Sequence, residues 1–289
     1  MQLHTNGPAQ TQALTLPEIV SSILHAIDMR TLIAAQRGCR MWANLIHDSR
    51  SLQQALFLQP IHNTDHPRPR VYNPLLAEVF PSFFPQTGNI SNEASDDSIE
   101  DANLTSIAFV KDPTKREMYL RPEASWRRML TTQPPIHTVG EFSYSTNPFS
   151  MCWQGQKATR QENGLRMTTL FETMVNLGRH TWNSAGVSIS LGGESPMNAR
   201  SEFLRPSIYV NSDRINADWV KMLAETDLVI VIVDGMECTD PEGPDDPDWE
   251  KSDDEIAWEG ITEWYEQSKM TLSELPMEET CYKGGEGWN

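Results

Sequence analysis

Between residues 14 and 60, apolar side chains recur at the three- and four-residue spacing of helices that bury one face. The apolar positions fall into three successive groups, and each group suits one short helix. The groups are Leu16, Ile19, Ile23, Leu24 and Ile27, then Leu32, Ala35, Cys39, Trp42, Leu45 and Ile46, then Leu52, Leu56 and Leu58. The pattern therefore predicts a three-helix module at residues 14–60.

Polar residues with the chemistry of helix caps precede each group. Thr15 and Glu18 have the spacing of a capping box, with Pro17 in the first turn. Asp28 or Thr31 is suited to cap the second helix, and Asp48-Ser49 to open the third. A unit this small rarely folds alone. Its outer apolar residues therefore need a second surface, which is either a partner protein or the rest of the chain.

Beyond the module, the pattern changes to a mixture of strand and helix signals, which predicts an α+β body at residues 71–236. Strands are expected at residues 106–110, 207–210 and 227–233, and helices at residues 122–130 and 165–177. The segment 227–233 is apolar at nearly every position, which is typical of an interior strand with both faces buried.

Other segments carry few apolar residues. We expect residues 1–13 to be disordered, residues 61–70 to form a proline-rich linker, and residues 82–103 to form a mobile loop. Residues 237–289 hold 17 acidic and 3 basic residues of a chain whose net charge is −17. This segment is predicted to be an acidic, partly disordered tail.

Three interpretations of the acidic tail stay open from the sequence. It is a solvated tail, a binding site for a basic partner, or an acidic amphipathic helix that docks back on the body. The third rests on apolar residues at mixed helical spacing, namely Ile256, Trp258, Ile261, Trp264 and Tyr265. In each case the negative charge repels phosphates and anionic lipids, so neither nucleic acid nor a membrane is an expected partner.

The sequence also favours an intracellular protein. No run of about 18 apolar residues predicts a membrane helix, and the first residues lack the basic and apolar regions of a signal peptide. The four cysteines are far apart in sequence and suggest reduced thiols. A cytoplasmic or nuclear location is therefore expected.

Candidates for catalysis are weak. His62 and His66 have a spacing that suits zinc but lie in the linker, and Gly192-Gly193 lacks the lysine of a phosphate-binding loop. Asp234 follows a predicted strand, where α/β enzymes often place a carboxylate. The sequence predicts no catalytic residue, no cofactor and no metal site. A small hydrolase or transferase that uses Asp234 stays the enzymatic alternative.

Trp126, Arg127 and Arg128 form a small patch of one aromatic and two basic residues, and the two arginines are the part that could bind an anion. We expect them to pair with carboxylates of this acidic chain rather than with phosphate.

The residues of the module resemble the F-box, a three-helix domain. The matching positions run in the family's order: Leu16-Pro17-Glu18-Ile19, Ile23-Leu24, Leu32, Cys39-Arg40-Met41-Trp42, Leu45-Ile46 and Ser51-Leu52. Two positions depart from it, because Gly38 replaces a common valine and the final aromatic residue is missing. The resemblance covers about a sixth of the chain. A looser resemblance, to F-box-like proteins of filamentous fungi, involves four segments: Asn73-Pro74-Leu75-Leu76, Phe83-Phe84-Pro85, Ser125-Trp126-Arg127-Arg128-Met129-Leu130 and Gln133-Pro134-Pro135.

The resemblance implies an adaptor. F-box proteins dock on Skp1 and present a protein substrate to a cullin-RING (SCF) ubiquitin ligase. The resemblance assigns Skp1 binding to Leu16, Pro17, Ile19, Ile23 and Leu24, and it leaves the substrate unidentified. The chain shows no leucine-rich or WD repeat, so the recognition region has no named motif. The non-enzymatic alternative is an F-box-like structural or interaction protein outside any ligase.

Overall fold

The structure is a computed structural model that describes residues 16–61, 69–84, 107–147, 150–180, 185–191, 213–235 and 253–287. Within these ranges, no helix is long and apolar enough to cross a membrane. The fold mixes helices and strands, in agreement with an α+β class. The expected disorder of residues 1–13 lies outside the described residues, as does nearly all of the linker and of the mobile loop.

The N-terminal module has four helices in the described residues, and the expectation of three is wrong. They are α1 (Pro17–Ala26), α2 (Met29–Ala35), α3 (Arg40–Asp48) and α4 (Arg50–Ala55). The expected second helix is split into α2 and α3, which a turn at Gln36, Arg37 and Gly38 separates. Glycine is a poor helix former because it loses more backbone entropy than other residues, so an end to α2 close to Gly38 is physically reasonable.

Two of the predicted caps are confirmed. The Asp28 carboxylate accepts hydrogen bonds from the amides of Arg30 and Thr31 at the start of α2. The Ser49 hydroxyl accepts from the amide of Leu52 at the start of α4. Thr15 lies outside the described residues. The residue that precedes α1 is Leu16, and its side chain makes no capping hydrogen bond.

The body begins with short elements that pack around aromatic side chains. They are β1 (Val71–Tyr72), α5 (Pro74–Val79), a 3₁₀ turn (Pro81–Phe83), α6 (Ala108–Lys111), α7 (Pro113–Leu120), a 3₁₀ turn (Ser125–Arg128) and β2 (Thr132–Gln133). The ring of Phe80 contacts those of Phe109, Trp126 and Phe171, with centroids 5.1–5.7 Å apart. These contacts place one aromatic cluster at the centre of the body.

A five-stranded sheet follows, with strand order β5-β6-β3-β4-β7. The strands are β3 (Val139–Asn147), β4 (Ser150–Ala158), β5 (Ala185–Leu191), β6 (Leu228–Gly235) and β7 (Met277–Gly287). Only β3 and β6 run parallel, and the other neighbouring pairs are antiparallel. The expected interior strand at residues 227–233 is confirmed as β6, which lies between β5 and β3 and buries consecutive residues from Leu228 to Ile232.

The sheet has helices on both faces. On one face, α8 (Met167–His180) shares the main core with Val139, Leu228 and Ile230. On the other, α9 (Asp213–Glu225) packs through Trp219 against Phe142. Because neighbouring side chains on a strand point to opposite faces, the continuous apolar run of β6 supplies both cores.

The C-terminal segment is part of the fold, and its expected role as a separate tail is wrong for residues 253–287. Helix α10 (Asp253–Gln267) buries Ala257, Ile261 and Tyr265 in the main core. Strand β7 then pairs with β4 at the edge of the sheet. Of the three interpretations, the docking amphipathic helix is confirmed. The helical spacing of the buried residues outweighs the negative charge of the segment, of which Glu263 and Glu266 are exposed on α10.

Three further expectations have clear outcomes. The strand expected at 106–110 is wrong, because Ala108–Lys111 forms the short helix α6. The helix at 122–130 is shorter than expected and is a 3₁₀ turn, Ser125–Arg128. The helix at 165–177 is confirmed as α8. The strand expected at 207–210 lies outside the described residues.

Candidate protein-docking face

The first helix of the module leaves a stripe of large apolar side chains in contact with solvent. Leu16 is 50% exposed, Ile19 is 40% exposed and Ile23 is 37% exposed. Pro17 at the start of α1 is exposed as well. The spacing of three and four residues places the stripe along one side of α1. We call these residues, Leu16, Pro17, Ile19 and Ile23, the α1 face.

Leu24 does not belong to the α1 face, so its assignment to the partner-facing set is corrected. Its side chain is 1% exposed and lies with Val20 in the core of the module. The two are four residues apart and therefore share the inner side of α1. The apolar stripe of α1 is wider than the surface that the rest of the module covers. Only its inner part packs against α3, where it contacts the cluster that includes Ile46.

A second side of the module is covered by the body. Met29, Ile33 and Leu58 pack against both the core of the module and the main core. The requirement of the small module for a second surface is thus partly met within the chain, and the α1 face is the part that stays exposed.

Hydrogen bonds fix the module on the body. The amide of Leu130 donates to the Phe57 carbonyl at 2.8 Å. The Gln133 side chain donates to the Gln54 carbonyl, also at 2.8 Å. Arg166 donates to the Leu58 carbonyl over the same distance. Because these bonds join backbone of the module directly to the body, the α1 face has a defined orientation relative to the sheet.

The polar groups around α1 serve structural purposes. Nε2 of His25 lies 2.7 Å from the Ser51 hydroxyl and so links α1 to α4. A hydrogen bond from the Thr31 hydroxyl holds the pKa of Asp28 below its ordinary value.

The basic patch at residues 126–128 is a structural centre. Arg127 is buried and pairs with the buried Glu172 at 2.7 Å. It also donates to the Tyr265 hydroxyl at 2.9 Å and to the Leu120 carbonyl at 2.7 Å. Pairing of this arginine with a carboxylate was expected and is confirmed. Arg128 is exposed.

Glu172 stays ionised in this setting. Burial acts to raise its pKa, but donors from Ser273, Tyr265 and Arg127 hold the pKa below its ordinary value. Burial likewise raises the pKa of Tyr265 far above its usual range. These groups bind α10 and the following loop to α8, and every charged atom of the pair is directed at another part of the protein.

Asp227 forms a second structural centre at the base of the sheet. Its carboxylate accepts from the amides of His137 and Thr138, at 2.8 and 3.0 Å, and pairs with Arg70 at 2.7 Å. Burial acts to raise its pKa, and the His137 amide and Arg70 outweigh that effect and lower it. The group aligns the starts of β3 and β6, which Thr138 and Asp227 directly precede.

Most of the residues considered for catalysis lie outside the part of the chain that the structure describes. His62, His66 and the pair Gly192-Gly193 lie outside the described residues, and Asp234 lies in β6 near its end. Within the described ranges, no group of three or more His, Cys, Asp and Glu side chains is arranged to hold a metal ion.

The comparisons with known proteins add no relative. No family model, no curated protein and no solved structure matches the chain.

Proposed function

We propose that the chain is an F-box-type adaptor. It docks through the α1 face on a Skp1-type protein, and through it on a cullin, and presents a protein substrate to a ubiquitin ligase in the cytoplasm or nucleus. The observation that carries the proposal is the exposed stripe of Leu16, Ile19 and Ile23 on a helix whose sequence resembles the F-box. The substrate would be held by the body, and the chain itself would carry out no catalytic step.

The energetics of the α1 face suit such a contact. Fully burying an exposed leucine or isoleucine contributes roughly 1.5–3 kcal/mol, so three side chains that are about half exposed contribute on the order of 3 kcal/mol together. That amount is a useful part of a specific interface and leaves the free protein soluble, because the stripe is small. The fixed orientation of the module means that the docked partner and the body keep one relative geometry.

Co-elution with a purified Skp1-type protein tests the proposal. A charge placed on the stripe, Ile19→Glu, should abolish co-elution, because burying an unpaired carboxylate costs several kcal/mol. Met118→Glu is the matched control, since Met118 is 54% exposed on α7 of the body. The control should co-elute like the wild type. Both variants change exposed positions, so both should keep the unfolding midpoint of the wild type.

The alternative is an F-box-like structural protein outside any ligase. The contact of Met29, Ile33 and Leu58 with the main core favours it, since part of the module already serves as core of the chain. The same experiment separates the two functions. If a folded wild type fails to co-elute with several Skp1-type proteins, the structural alternative is retained and the adaptor proposal is rejected.

A further inference from the structure

One part of the sheet carries a cluster of polar side chains on the face that α8 covers. Glu141 and Ser143 of β3 stand directly opposite Gln156 and Gln154 of β4. Residues that are paired across antiparallel strands share a face, as do alternate residues along each strand. All four side chains are half-buried. We call this group, Glu141, Ser143, Gln154 and Gln156, the polar shelf.

Apolar side chains flank the polar shelf on its β6 side, whereas Thr280 and Lys283 of β7 stand opposite Gln156 and Gln154 on its other side. Ile230 of β6 is paired with Glu141, and Ile232 is paired with Ser143. Both isoleucines are buried. Val139, two residues before Glu141 on β3, belongs to the main core. Glu141 therefore lies where the apolar part of this face meets its polar part.

The carboxylate of Glu141 differs from the other buried carboxylates of the protein. Burial raises the pKa of Glu141, and no charge or hydrogen bond opposes this effect. Glu172 and Asp227, in contrast, each have several donors. Across the described ranges, no side chain forms an ion pair with Glu141. A carboxylate that loses water and gains no partner is costly to the fold and is typical of a site that receives a ligand.

We propose that the polar shelf binds a cationic nitrogen group, the ammonium or guanidinium of a lysine or arginine side chain that a partner protein presents. The Glu141 carboxylate would pair with the cation, and the carboxamide oxygen of Gln156 would accept one of its remaining N–H groups. The net charge of −17 attracts basic partners to the chain. The identification of this partner as the presented substrate rests on the proposed function, whereas the site itself does not.

A titration with small probes tests the site. Backbone amide signals of β3 and β4 are followed by NMR while N-acetyl-arginine amide is added, with N-acetyl-citrulline amide as the neutral isostere. We expect saturable shifts with arginine and at least fivefold weaker binding of citrulline. Glu141→Gln should abolish the difference between the probes. Glu123→Gln, which changes an exposed carboxylate, should preserve it. Equal binding of both probes, or no saturable shift with arginine, overturns the proposal.

Stability supplies a second, independent test. Glu141→Gln should unfold at the same temperature as the wild type or at a higher one, because it removes a desolvated charge that has no partner. A clear fall in the unfolding temperature would mean that the carboxylate already has a partner within the chain, and it would overturn the proposal. Ile19→Glu, which tests docking on Skp1, should leave the arginine titration unchanged, so the two proposals can fail separately.

Discussion

The buried pair of Arg127 and Glu172 offers the sharpest test of how the C-terminal segment is held. Arg127 is 6% exposed and Glu172 is 3% exposed in their side chains. Glu172→Gln keeps the shape of the side chain and removes its charge. The guanidinium is then left buried without an ionic partner, and removal of one partner from such a pair costs about 3–5 kcal/mol. Glutamine has a single acceptor oxygen, so it can accept from Tyr265 or from Ser273 but not from both. We therefore expect a cost of at least about 3 kcal/mol.

Urea unfolding, followed by circular dichroism, measures this cost. A loss of about 3 kcal/mol is a large part of a typical total of 5–15 kcal/mol. Glu78→Gln is the matched control, because its pair with Arg30 is 60% exposed on the glutamate side. Exposed pairs contribute about 0–1 kcal/mol, so this variant should unfold almost as the wild type does. If both variants lose the same small free energy, the pair does not hold α10 in place.

Three further predictions follow from single features of the structure. The pKa values of Asp227 and Glu172 are lowered in the folded state. Their contribution to stability is therefore complete above the unfolded pKa of about 4 and is lost as the pH falls further. A urea midpoint that stays constant from pH 6 to pH 3 would contradict this. Gly164→Ala should destabilise the fold by at least about 1–2 kcal/mol, because Gly164 has φ +80° and an added Cβ would lie 2.5 Å from Cβ of Pro135. Thermal unfolding of the variant at the wild-type temperature would refute this prediction. Deletion of residues 253–289 removes α10 and β7, and we expect loss of cooperative unfolding; a truncated chain that unfolds cooperatively would show that the body folds without them.

Local patterns with a single period were readable from the sequence. The continuous apolar run that forms β6 and the helical spacing that forms α8 each leave few alternatives. The caps Asp28 and Ser49 were also readable, because a side-chain oxygen at a helix start has a defined partner. The short apolar run at 106–110 was misleading, since runs of that length suit strand and helix equally.

Tertiary relationships were the part that the sequence could not supply. The negative charge of residues 237–289 suggested a tail, yet the spacing of Ala257, Ile261 and Tyr265 decided the outcome. The inner and outer parts of the apolar stripe on α1 differ only in whether other residues of the chain pack against them. The sequence therefore could not show that Leu24 is buried and Ile23 exposed. Glu141 was not recognised at all, because its setting arises from register with β4 and β6.

The proposed function requires the α1 face to dock on a Skp1-type protein. Isothermal titration of a purified Skp1-type protein into the wild-type chain, and into Ile23→Glu and Ile256→Glu, tests it most directly. Ile256 is 55% exposed on α10, far along the chain from the module, so its variant controls for an added charge at an exposed isoleucine. We expect the wild type and Ile256→Glu to bind with equal affinity and Ile23→Glu to bind at least tenfold more weakly. Equal affinity of all three proteins, or no heat of binding with the folded wild type, would contradict this expectation.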